Sequence, residues 1–254
     1  MLNLMLCGCQ GKMGRVIEEC TLTRGDCCIA AGIDLNTEEK RDFPVYASPA
    51  DCKETMDAII DFSHPNSLNG LLAYAKTHKT PLVIATTGYS KEQIDQIHEA
   101  AREIPLFFTF NMSLGVNLLA DLARRATAVL GDQFDIEIIE KHHNRKVDAP
   151  SGTALMLADA INETLGNKDV YVYDRHSVRK KRNENEIGIS SVRGGTIVGE
   201  HEILFAGRDE VITLTHTAMS REIFAVGALN AAVYLSSKTE AGLYDMSDLI
   251  REQK

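Results

Sequence analysis

The 254-residue chain is short of long apolar runs, of positive charge and of repetition, and each shortage removes a class of protein. No segment approaches the unbroken apolar length that a membrane-spanning helix needs. The apolar start, MLNLMLCG, has neither a basic leading region nor a small-residue cleavage site, so it does not read as a secretory signal. A formal charge of −9 and an isoelectric point near 5.4 leave no general basic face for nucleic acid. Arg179-Lys180-Lys181-Arg182 is the one basic tract and reads as a solvated loop. Repeats of solenoid length and low-complexity segments are missing. Cysteine is absent after residue 52, with all six at 7, 9, 20, 27, 28 and 52. Cys7-Gly8-Cys9 is too tight for a zinc ligand pair and no matching second pair follows, so reduced structural thiols, no metal site and a cytoplasmic location are expected.

What is present is an ordinary globular composition, 44% hydrophobic and 25% charged, in a pattern that changes midway. In the first half, apolar runs at 2–7, 28–33, 58–62, 82–86 and 106–110 alternate with helical stripes at 14–21, 67–77 and 91–102. Near-continuous apolar strands between helices predict a doubly wound, Rossmann-like parallel sheet covered on both faces. Beyond Asn111 come a helix over 115–130, a strand over 134–139, a helix over 154–165 and strand-like runs at 187–192, 200–206 and 211–217 joined by short Gly-containing turns. Short connections predict antiparallel pairing, hence a second α+β domain with a mainly antiparallel sheet. A last helix over 221–235, apolar on most sides, is expected to return to the first domain. The domains are therefore 1–112 plus 221–254, and 113–220.

Directly after the first strand comes Gly8-Cys9-Gln10-Gly11-Lys12-Met13-Gly14, opening a helix. Its glycines depart from the G-x-G-x-x-G spacing, yet strand, loop and helix follow in the order a dinucleotide needs. Asp34 ends the second strand twenty residues after Gly14 (34 − 14), where a carboxylate accepts hydrogen bonds from ribose hydroxyls. The bland alternative is a tight turn with glycines for packing and Asp34 as a cap. Asp34 repels the 2′-phosphate of NADPH while Lys12, Lys40 or Arg41 can offset it, so the expected cofactor is NADH, NADPH or both. The strand ends Phe62-Ser63-His64-Pro65, Ala85-Thr86-Thr87-Gly88 and Thr109-Phe110-Asn111-Met112 fall along the same sheet edge and are expected to line the nicotinamide half, with His64 a loop residue.

The densest chemistry lies in Glu140-Lys141-His142-His143-Asn144-Arg145-Lys146-Val147-Asp148-Ala149-Pro150-Ser151-Gly152-Thr153, read as a strand-to-helix loop. The unpaired N–H groups and positive dipole end of the helix start at Ser151, Gly152 and Thr153, with Arg145 and Lys146 nearby, predict an anion site for a carboxylate or phosphate. Ser151 alone can equally be a helix cap. Arg193, in a Gly-flanked turn, is either a further clamp on substrate charge or a surface arginine.

This run closely resembles the signature of the 4-hydroxy-tetrahydrodipicolinate (dihydrodipicolinate) reductases. The resemblance extends through the glycine loop, Ala85-Thr86-Thr87-Gly88, Asn111 to Asn117, Val192 to His201 and Gly242-Leu243-Tyr244-Asp245-Met246, nearly the whole chain. It implies NAD(P)H-dependent reduction of a cyclic dicarboxylate on the diaminopimelate route to lysine. By the resemblance His142 is the acid/base, Lys146 the proton donor, and His143 with the Gly152-Thr153 backbone the carboxylate binders. A homotetramer built through the second sheet is implied as well, with no nucleic-acid or membrane partner. A site shared by two domains implies hinge closure, for which Asn111 to Leu114 and the region of Ser220 are candidates. Another two-domain NAD(P)-dependent imine or amino-acid oxidoreductase, and a non-catalytic NADH-binding sensor, are the competing readings.

Overall fold

The computed structural model describes residues 1–252 and divides into two compact units, Met1–Leu114 with Glu222 onward, and Gly115–Arg221. The first unit begins with β1 (Leu2–Cys7), α1 (Lys12–Thr21), β2 (Cys27–Ile33), β3 (Val45–Tyr46), β4 (Ala58–Asp61), α2 (Leu68–His78), β5 (Leu82–Ile84), α3 (Lys91–Ala100) and β6 (Pro105–Phe108). After α4 (Leu114–Leu130) the second unit continues with β7 (Asp135–His142), α5 (Gly152–Thr164), β8 (Val170–Val172), β9 (Glu186–Arg193), β10 (Gly199–Ala206) and β11 (Val211–Ala218). The chain then re-enters the first unit as α6 (Glu222–Ser236), β12 (Gly242–Tyr244) and α7 (Met246–Glu252). Among the described residues no helix is long and apolar enough to cross a membrane.

Seven parallel strands in the order β12-β6-β5-β4-β1-β2-β3 make the first sheet. Both faces are buried because successive side chains point to opposite sides and all but Asn3 and Asp61 are apolar or small. Leu4 and Leu6 enter a core with Ile17 of α1, Leu229 of α6 and Leu249 of α7. Met5 and Cys7 enter another with Leu71 of α2 and Ile97 of α3. Connections run outward in both directions from between β1 and β4, the switch point beyond which such folds bind ligands. Gly227 lies where α6 crosses the chain: a Cβ there would fall 1.7 Å from the carbonyl oxygen of Met112.

The second unit has one core, formed where Ile136, Ile138, Ile187, Ile189, Ile203 and Phe205 of its sheet meet α4 and α5. Its order is β11-β10-β7-β9-β8, and the sheet is mixed. β10 pairs antiparallel with β7 and β11, whereas β9 pairs parallel with β7 and β8. The hairpin expected between the last two runs is present, but β9 and β10 are not neighbours. β7 lies between them, and the segment 194–198 steps over its end, a gap of ~10 Å that a few extended residues can bridge.

Two further expectations are corrected. Arg182 is no solvated cation: its guanidinium bonds Asp135 at 2.7 Å and Glu137 at 3.2 Å, pinning its loop to β7. The strand expected over 134–139 runs on to His142, so Glu140, Lys141 and His142 are strand residues rather than loop residues.

Candidate functional site

β1 passes into the glycine loop at Gly8, whose φ of +79° disfavours a side chain. A Cβ on Gly8 would fall 2.4 Å from the carbonyl oxygen of Phe62, and one on Gly14 would fall 2.3 Å from that of Gly8. The loop is thus wound as tightly as the backbone permits. α1 starts from Gly11 without a side-chain cap, which leaves its first turn available to an anion. Asp34 sits against this loop, its Oδ2 accepting the Gln10 backbone N–H at 3.0 Å and its Oδ1 that of Asn36 at 3.1 Å. Gly8, Gly11 and Asp34 line a cavity of about 700 Å³ together with Ser48, Ser63 and His64. Among the described residues, no lysine or arginine lines that cavity. Arg41 is engaged elsewhere: it donates to Glu18 at 2.6 Å and to the Gln10 side chain at 2.9 Å. Lys12 is exposed, while the side chains of Cys9 and Met13 belong to the core, so only their backbones can face a ligand.

Ala85, Thr86 and Thr87 line a second cavity of about 370 Å³ with Gly88 and the 62–65 loop. Thr109, Phe110, Asn111 and Met112 line neither cavity. Thr109 and Asn111 bond each other, Asn111 also accepts from Ser113, Met112 is buried, and Phe110 is exposed beside Phe108. His64 accepts from the Asn66 N–H and so caps the turn that follows it.

In the second unit the polar end of β7 gathers a cluster of titratable side chains. Glu140 points to the same side as Ile136 and Ile138 and is completely buried, with His201 of β10 and Ser191 of β9 opposite it in register. Both of its oxygens receive Arg193, at 2.7 Å each; Oε2 also meets His142 Nδ1 at 2.6 Å, and Oε1 accepts the Ser151 N–H at 3.1 Å. Burial works against the charge on Glu140, but the bonds from Arg193 and His142 outweigh it and hold the carboxyl at about 2. An ionised Glu140 requires the proton of a neutral His142 to lie on Nδ1, which leaves Nε2 as an acceptor. Desolvation lowers the His142 pKa despite Glu140, and the charges of Lys146 and Arg193 lower it further. Gly199 stands over that edge of the ring; a Cβ there would come 3.1 Å from Nε2. Neutral imidazole is therefore the resting state.

Lys146 pairs with Asp148 at 2.9 Å, and that bond holds the Asp148 carboxyl below its usual range. Among the described residues, nothing hydrogen-bonds the buried Nδ1 of His143. Gly152 is the exposed first residue of α5, with Thr153 behind it.

Two of the expected ligands have their polar groups engaged within the protein. Arg193 is held inside the protein: besides Glu140 it bonds the carbonyls of Val192 and Asp148, which uses all four terminal N–H groups. Ser151 is buried and caps α5 through the Ala154 N–H at 3.2 Å, while its hydroxyl meets His201 Nε2 at 3.0 Å. Sequence reasoning gave Glu140 and His201 no part. The signal for Glu140 was available in the strand alternation, which continues through the polar residues to His142.

Comparison with known proteins places both halves. Residues 2–112 match the family described as "Dihydrodipicolinate reductase, N-terminus" and residues 115–250 the one described as "Dihydrodipicolinate reductase, C-terminus". The chain is 50% identical over 252 residues to the 4-hydroxy-tetrahydrodipicolinate reductase of Caldanaerobacter subterraneus subsp. tengcongensis, covering 99% of each chain. The enzyme of that name from Clostridium novyi is 46% identical with 100% of both chains covered. Among solved structures, a dipicolinate-bound dihydrodipicolinate reductase from Paenisporosarcina sp. TG-14 superposes with a TM-score of 0.80 at 25% identity, covering 96% of this chain and 97% of the other.

Proposed function

The chain belongs to the dihydrodipicolinate reductase family, and on that footing we propose that it reduces 4-hydroxy-tetrahydrodipicolinate to tetrahydrodipicolinate with a reduced nicotinamide dinucleotide, in diaminopimelate and lysine biosynthesis. The reaction takes up one hydride and one proton and releases one water. Bound, the nicotinamide supplies the hydride. One observation carries the reading: a lysine, an imidazole whose Nδ1 is held by Glu140, and the first turn of α5 gather at the end of β7.

Loss of the 4-hydroxyl together with a neighbouring ring hydrogen, as water, gives a conjugated double bond; once one of its carbons has received hydride, Lys146 donates a proton to the electron-rich carbon next to it. His142, neutral with Nε2 free, accepts a hydrogen bond or proton from substrate and is returned to the same tautomer by Glu140. One ring carboxylate binds the Gly152-Thr153 backbone with Lys146 and His143 near it. Asp148, the present partner of Lys146, then gives way to it. In the first unit, the loop Gly8 to Met13, through the N–H groups of the first turn of α1, holds the pyrophosphate and Asp34 holds the ribose beside it. Loops 85–87 and 109–112 take the nicotinamide half. The cation-free lining next to Asp34 supports NADH over NADPH. The sheet of the second unit turns Ile139, Val192 and Leu204 to the side opposite α4 and α5, a face suited to self-association as a homotetramer in the cytoplasm.

The test is a coupled assay in which the preceding synthase condenses pyruvate with aspartate semialdehyde and nicotinamide absorbance is followed. Consumption of NADH or NADPH that depends on this protein is expected, and none with folded protein refutes the reaction. Light scattering checks the tetramer.

A further inference from the structure

Asp61 ends β4 at the switch point, in register with Cys7 of β1, and takes no part in the chemistry set out above. It is completely buried. Oδ1 accepts from the Ser63 backbone N–H at 3.1 Å and from the Ser63 hydroxyl, and Oδ2 accepts from the Tyr89 hydroxyl at 3.1 Å. Ser63 belongs to the loop after β4 and Tyr89 to the loop after β5. A single carboxylate therefore ties two loops together. A second tie lies close by, where the Gln93 amide of α3 donates to the Pro65 carbonyl at 2.8 Å. Residues 62–65 and 85–88, the two stretches so joined, are the lining of the second cavity.

Packing alone does not call for this arrangement. Ser63 and Tyr89 are neutral, and a buried carboxylate without a cation beside it is expensive where an apolar residue would fill the space. Burial accordingly pushes the Asp61 carboxyl up, the bonds from Ser63, Thr86 and Tyr89 only partly opposing it. What the carboxylate supplies that an apolar group cannot is three directed bonds, which set the separation of the two loops before a ligand arrives. Loops fixed in advance spare the ligand the entropy of ordering them.

We propose that Asp61, acting through Ser63 and Tyr89, is a positioning residue for the nicotinamide end of the cofactor: it sets the width of the cavity between the 62–65 and 85–88 loops. This rests on the reading of those loops as the nicotinamide side given above. Tyr89→Phe removes one hydroxyl and keeps the ring that packs edge-on to Phe108 at 6.4 Å, so it preserves the fold best; Asp61→Asn weakens all three bonds.

Each full-length variant is titrated calorimetrically with NADH, NADPH and ADP-ribose, the last lacking the nicotinamide. Tyr89→Phe is expected to weaken binding of the preferred dinucleotide about tenfold, the value of one bond to a buried charged acceptor, while ADP-ribose stays within about twofold. Asp61→Asn weakens it further with the same selectivity. Parallel loss of all three ligands, or no loss of any, overturns the proposal by reducing Asp61 to a structural role. Failure of the unaltered protein to bind any of the three overturns it together with the dinucleotide reading, whereas binding by that protein with unselective variants sinks the proposal alone.

Discussion

Asp61 and Glu140 each stand at the carboxyl end of a strand, one in each unit, and both are wholly buried, yet their acidities move in opposite directions. Asp61 meets hydroxyls and a backbone N–H, so burial prevails and its pKa rises. Glu140 meets a bidentate arginine and an imidazole, so burial is overcome and its pKa falls to about 2. Depth therefore does not decide the state of a buried acid; the charge of its partners does. The difference suits the two tasks. Asp61, accepting from neutral groups, ties two loops together, while the firmly ionised Glu140 fixes a tautomer.

The comparison breaks most severely if Glu140 loses its counterion. Arg193→Met is expected to cost about 3–5 kcal/mol of stability at pH 7, the usual penalty for stranding a buried charge. The loss should shrink as pH falls and Glu140 takes up a proton, much as Asp61 would. Chemical denaturation across pH 7 to 5 reads this, and a loss independent of pH would show that the stranded carboxylate is not its source.

In the unaltered protein the two acids should tilt stability oppositely. The Glu140 carboxyl, depressed to about 2 from its ordinary 4.5, stabilises the fold above pH 4.5 and loses that contribution as pH falls towards 2, on the order of 3 kcal/mol. Asp61, raised above 3.8, contributes fully below that value and less as pH climbs through its folded pKa. His201, lowered to about 4 chiefly by desolvation, adds an acid-side loss between 6.5 and 4. Glu140→Gln should flatten the stability profile between 4.5 and 2, and Asp61→Asn should steepen its fall; identical profiles for both variants would refute the contrast.

Two smaller effects sharpen the division of labour. Lys146→Ala and His142→Gln should each lower turnover roughly a hundredfold, as removal of an acid–base group does, with cofactor affinity measured by titration nearly unchanged. Loss of cofactor affinity instead would put them in the wrong half of the chemistry. Asp34→Asn, which deletes a single partly exposed charge, should move the NADPH-to-NADH preference about fivefold towards NADPH, read as a ratio of kcat/KM values. An unmoved ratio would assign selectivity to Lys12 or another group.

Much of the first unit was legible because its strands are buried on both faces and announce themselves as apolar runs. β3 and β12 escaped because two or three residues carry no period. The end of β7 was misread for a different reason: Glu140 and His142 continue the inward alternation, but polar residues face inward only where partners await them. For Glu140 that partner is Arg193, 53 residues later and brought alongside by the β7–β9 register. Tyr89, 28 residues beyond Asp61, was hidden in the same way. Hydropathy sees a residue's own preference; it does not see an ion pair that only the fold assembles. The motif therefore marked a region dense in titratable groups, while the hydrogen bonds of Ser151 and Arg193 depend on neighbours that only the fold supplies.

The return of α6 to the first unit has a consequence for the protein while it is being made. Ala225, Ala228, Leu229, Ala231, Ala232 and Leu235 complete one of that unit's two cores, yet they leave the ribosome after every residue of the second unit. The inserted unit can finish folding first, while the older sheet waits with one oily side unroofed. Nascent chains stalled before residue 222 should thus attract chaperones to the sequence translated earliest, a hazard set by the order of the thread rather than by any weakness in the finished molecule.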